Sequence, residues 1–119
     1  TEHGVHAADQ LSVRVQRLEL IREMMLRLRA QTPRQLAGSP VVAVEDLRDG
    51  LAGLPPTDAL RLLSEDGSRV IVRPSGTEPK LKCYLETVEP VSGDLPAARA
   101  RAAERLAAVR ADVAAALGI

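Results

Sequence analysis

Leu18, Ile21, Met25 and Leu28 recur at spacings of three and four, with Arg17, Glu19, Arg22, Glu23, Arg27 and Arg29 filling most of the rest. That period predicts an amphipathic helix over roughly residues 16–30, stopped by Pro33. A second 3.6-period stripe, Leu95, Ala98, Ala102, Leu106, Val109, Val113 and Leu117, predicts a long final helix with Asp94 as its cap and Pro96 in its first turn. Between them the period shortens. Val41 to Val44 is an apolar run, and Leu60, Leu62 and Leu63 suggest a further strand. Glu65-Asp66-Gly67-Ser68 has the composition of a hairpin turn, and residues 69–73 form its return strand. Leu81, Cys83 and Leu85 then alternate with Lys80, Lys82, Tyr84 and Glu86. Residues 1–9 read as a tail or linker, and residues 10–15 as a short strand or extended linker. The order predicts an α+β domain with a roughly four-stranded antiparallel sheet and two helices packed on one face.

Composition narrows the function. The 119 residues suit one domain, and the core must be aliphatic, because Tyr84 is the single aromatic residue. Sixteen basic and sixteen acidic residues cancel, so there is no global field to attract nucleic acid or an anionic membrane, and neither is expected as a partner. Cys83 is alone, which excludes an internal disulfide and fits a cytoplasmic setting. It reads as a small core residue, not a nucleophile. His3 and His6 make a poor metal pair, and no metal site is expected. Glu45, Asp46 and Asp49 could act as an acid–base or magnesium cluster, but beside Arg48, Gly50 and Gly53 they read as a strand end entering a turn. The small residues of the final helix favour packing on a sheet over a coiled-coil seam.

The chemistry gathers in Arg73-Pro74-Ser75-Gly76-Thr77-Glu78-Pro79, a compact polar loop between two strands. Arg73 can offer a planar fork to an anion, and Ser75 and Thr77 can offer hydroxyls. Gly76 lets the backbone approach closely. The N–H groups of Ser75, Gly76, Thr77 and Glu78 could form an anion-binding concavity, with Lys82 adding charge from the next strand. Pro, Ser and Gly also occur in turns for conformational reasons alone.

The string from Arg73 to Glu86, RPSGTEPKLKCYLE, resembles the phosphate-binding loop and following strand of the α-D-phosphohexomutases, in the C-terminal domain of the phosphomannomutase/phosphoglucomutase type. The resemblance implies a small fourth domain of the TATA-binding-protein-like type, with residues 1–15 as the interdomain hinge segment and 16–119 as the phosphate-binding domain. It implies that Arg73, Ser75, Gly76 and Thr77, with Lys82 where some relatives carry Arg, hold the substrate phosphate that is not reacting. It places the catalytic residues, the phosphoserine, the magnesium and the sugar-selecting loop in three other domains. The complete enzyme would interconvert hexose 1-phosphate and 6-phosphate, while this domain would be inactive alone. The sugar is not legible here, although the wording KLKCYLE leans towards the mannose/glucose group by resemblance. The competing expectations are a free-standing anion-binding or protein-interaction module, and a structural helix-pairing domain in which the loop is only a turn.

Overall fold

The computed structural model describes residues 4–47, 59–75, 78–90 and 94–118. Along the chain it contains β1 (Gly4–Arg14), α1 (Leu18–Ala30), β2 (Gln35–Leu36), β3 (Ser39–Asp46), β4 (Leu60–Ser64), β5 (Arg69–Pro74), β6 (Lys80–Pro90) and α2 (Leu95–Leu117). The strands form one sheet in the order β1-β6-β5-β4-β3-β2, with every neighbouring pair antiparallel.

The α+β class holds, but the sheet has six strands among the described residues where the sequence suggested about four. Residues 4–9, read as a tail, are the first half of β1. That strand pairs with β6 along its whole length, from Gly4 opposite Pro90 to Arg14 opposite Lys80. Small Ala7 and Ala8 and polar outward positions mask its alternation, and backbone pairing supplies what the side-chain pattern does not show. The other addition, β2, is two residues long. A turn at Ala37 and Gly38, both at positive φ, folds it onto β3. Ala37 is a costly residue at φ 52°. Its N–H donates to the Asp112 carboxylate of α2 at 2.7 Å, which holds the turn in place.

Alternation sorts the sheet into two faces. Leu60 and Leu62 of β4, Val70 and Val72 of β5, and Leu81, Cys83 and Leu85 of β6 are buried on the inner face. They form one core with Ile21, Met24, Met25 and Leu28 of α1 and Val109, Val113 and Leu117 of α2. Leu18, expected on the buried stripe of α1, is 53% exposed because it lies in the first turn, beyond the sheet's cover. Asp94 caps α2 through Ala97 N–H, and the small Ala98 and Ala102 let the helix lie close on the sheet. No described helix is long and apolar enough to cross a membrane.

With both helices spent on the inner face, Arg61, Ile71, Arg73, Lys82 and Tyr84 are left on an outer face that no helix of the described residues covers.

Candidate functional site at the β5–β6 loop

The loop joins two strands whose register fixes which charges meet. Arg73 lies directly opposite Lys82, and Lys82 lies opposite Ser12 of β1. Antiparallel partners share a face, so Arg73, Lys82 and Ser12 form one row across three strands on the outer face. Two residues along β6, Lys80 lies opposite Arg14 in the next row. Four cations therefore stand at the loop end of the sheet.

Hydrogen bonds set the shape of the loop. Ser75 N–H donates to the Lys80 carbonyl at 2.8 Å, and Lys80 N–H donates to the Glu78 carbonyl at 2.7 Å. Val15, just past β1, donates its N–H to the Pro79 carbonyl at 2.9 Å. A guanidinium nitrogen of Arg14 lies 3.1 Å from a Glu78 carboxylate oxygen. The Ser75 N–H, expected to face an anion, is thus spent on closing the hairpin. The Ser75 side chain is half-buried beside it. Gly76 and Thr77, the remaining candidates, lie outside the described residues.

Charge is uneven here. Arg14 has Glu78 as its partner, whereas among the described residues no carboxylate forms an ion pair with Arg73, Lys80 or Lys82. Like charges directly opposite one another in a sheet cost stability. The Arg73–Lys82 pair carries that cost. Arg73 is exposed and Lys82 half-buried, so the pair is open to solvent from the outer face.

The other candidates disperse. Glu45 pairs with Arg61 at 3.2 Å on the outer face. Asp46, the next residue along β3, points inward, where Arg29 of α1 holds it through two contacts at 3.0 and 3.3 Å. Strand alternation thus separates these two carboxylates. Asp49 and the neighbouring Arg48, Gly50 and Gly53 lie outside the described residues, as do His3 and residues 55–58. Among the described residues no three His, Cys, Asp or Glu side chains gather where they could hold a metal. Cys83 is fully buried, and desolvation pushes its thiol up to about 12, which leaves no thiolate to attack anything.

Sequence reasoning named Arg73 and Lys82 as candidates, and the strand register sets them opposite each other; it did not name Arg14, Ser12 or the Glu78 contact. The available signal was the alternation over residues 10–15, which places Ser12 and Arg14 on one face. Their partner strand, nearly seventy residues later, was not readable from that segment.

Comparison with known proteins supplies a family for this arrangement. The model of the family described as phosphoglucomutase/phosphomannomutase, C-terminal domain, matches residues 13–116. A probable phosphomannomutase of Haemophilus influenzae is 40% identical over 85 residues, covering 71% of this chain and 17% of that protein. A phosphoglucomutase of Staphylococcus haemolyticus is 37% identical over 90 residues, covering 63% of this chain and 16% of that protein. A phosphomannomutase of Sinorhizobium fredii is 45% identical over 40 residues, covering 34% of this chain and 8% of that protein. The chain thus spans less than a fifth of the length of these curated relatives.

Proposed function

The chain belongs to the phosphoglucomutase/phosphomannomutase C-terminal domain family, and on that premise we propose that its β5–β6 loop clamps the phosphate of a hexose phosphate within a larger phosphohexomutase. The observation that carries this reading is the Arg73–Lys82 pair, two like charges held opposite each other by strand register with no described carboxylate between them. A phosphate dianion supplies the missing negative charge, and the Arg73 fork can take two of its oxygens. Gly76 and Thr77 belong to the proposal through the family pattern, and Ser75 contributes its hydroxyl, since its N–H closes the hairpin.

Phosphoryl transfer depends largely on positioning and charge stabilisation. A clamp on the phosphate that is not reacting aligns the sugar hydroxyl with a phosphorylated group in another domain and contributes to transfer without touching the reacting atoms. The site lies on the outer face, where a substrate in a cleft between domains can reach it. The three other domains supply the chemistry, including magnesium, in a cytoplasmic enzyme acting on a mannose, glucose or glucosamine phosphate. Residues 1–15 then serve as the connection to those domains, and β1 (Gly4–Arg14) within them is also an edge strand of the sheet.

The test is a titration of the chain with inorganic phosphate and with glucose 6-phosphate, followed by backbone amide NMR. Shifts confined to residues 75–82 are expected. Arg73→Ala should abolish them while the amide spectrum of the core strands is unchanged. Equal shifts in the Arg73→Ala chain would remove the clamp from this loop.

A further inference from the structure

Among the described residues Glu78 is the one carboxylate that pairs with any of the four cations at the loop end, and simple electrostatics makes it a liability for binding an anion. Its surroundings assign it a different part. Its carboxylate meets Arg14 of β1 at 3.1 Å, and its own carbonyl accepts from Lys80 N–H at 2.7 Å. The adjacent residue, Pro79, accepts from Val15 N–H at 2.9 Å. Three contacts thus tie the exit of the loop down within two residues, and two of them reach a segment remote in sequence, one to Arg14 at the end of β1 and one to Val15 just past it. The entry is tied once, by Ser75 N–H to the Lys80 carbonyl.

Building on the phosphate clamp above, we propose that the Arg14–Glu78 pair is a latch: Glu78 is a positioning residue that holds the loop's exit against β1 so that Arg73 and Lys82 meet one anion in fixed geometry. The side chains are 66% and 52% exposed, so the bare ion pair contributes little to global stability. Its effect lies in restricting the loop, because a clamp ordered in advance does not spend binding energy on ordering itself.

The latch and plain electrostatics predict opposite signs for one substitution. Glu78→Gln removes a negative charge beside the anion site. If charge alone mattered, phosphate would bind more tightly. The latch predicts binding weakened by about 3- to 10-fold, in the range that loss of a few ordered contacts gives. It also predicts faster hydrogen exchange at the amides of Val15, Ser75 and Lys80, with protection at Leu81, Cys83 and Leu85 unchanged. A charge-swapped chain, Arg14→Glu with Glu78→Arg, keeps the net charge and should recover slow exchange at those three amides. Unchanged exchange in Glu78→Gln, or tighter phosphate binding, overturns the latch. If phosphate shifts no amide of the unsubstituted chain, the clamp fails while the exchange measurement still decides the latch.

Discussion

Cys83 shows how one position can carry chemical potential that its place in the fold suppresses. It lies on the inner face of β6 between Leu81 and Leu85, fully buried, and loss of water around it penalises the thiolate. A thiol reagent at pH 8 should leave the native chain unlabelled and modify one thiol per chain once guanidinium unfolds it; labelling without unfolding would place Cys83 at the surface. This was legible in the sequence, because the period of two after Pro79 puts Cys83 with the leucines. The same period put Lys82 on the face opposite Leu81, but that it stands across from Arg73 is a matter of register. Arg14 and Glu78 were not legible as partners, since they stand 64 positions apart and nothing local to either marks the other. The Ser75 N–H was read as free because a hairpin's closing hydrogen bond depends on register, and register is settled only when the two strands pair.

Elements are joined by a small number of polar contacts as well as by the core. The turn between β4 and β5 carries Gly67 at φ 91° and Asp66, which receives the Ser64 hydroxyl, the Ser68 N–H and the Arg105 guanidinium of α2. Burial works against ionising Asp66, but these hydrogen bonds and the Arg105 charge outweigh it and hold the carboxyl below the usual aspartate range. A carboxyl lowered on folding stabilises the native state at pH values above its unfolded pKa, and that contribution disappears as pH falls through the lowered value. Asp66→Asn should therefore lower the urea midpoint at pH 6 and leave it close to the parent's at pH 2.5. An equal loss at both pH values would argue that shape, not charge, is what Asp66 supplies. The hairpin itself was plain from Glu65-Asp66-Gly67-Ser68. Its tie to α2 was not, because Arg105 stands 39 positions from Asp66 and nothing local to the turn marks it. The β2–β3 turn escaped notice for a related reason: Ala37 is an unlikely residue at positive φ and relies on Asp112, a residue of α2 distant in sequence.

Across the whole molecule, one aliphatic core lies between the sheet's inner face and the two helices. Met25 of α1 is 1% exposed within it, so Met25→Ala should cost about 2–5 kcal/mol. The neighbouring Leu26, 61% exposed, should tolerate alanine within about 0.5 kcal/mol. Urea unfolding of both variants checks the pair, and similar losses would mean that α1 is rotated from the orientation described. The α+β class and both helices followed from periodicity, and the edges of the sheet did not, because β1 and β2 are defined by what they pair with. The placing of β1 also bears on how the chain folds. The β4, β5 and β6 pairings join near neighbours in sequence and can zip early. The β1–β6 pairing must close nearly the whole intervening chain, an entropic cost that slows non-local sheets. On a ribosome, β1 emerges before the other five strands and waits for β6 to be made. Throughout that interval Leu11 and Val13 have no core to enter, and the backbone of β1 is open to any other unpaired strand. A chaperone that shields this segment during synthesis would serve the protein more than one acting on the finished domain.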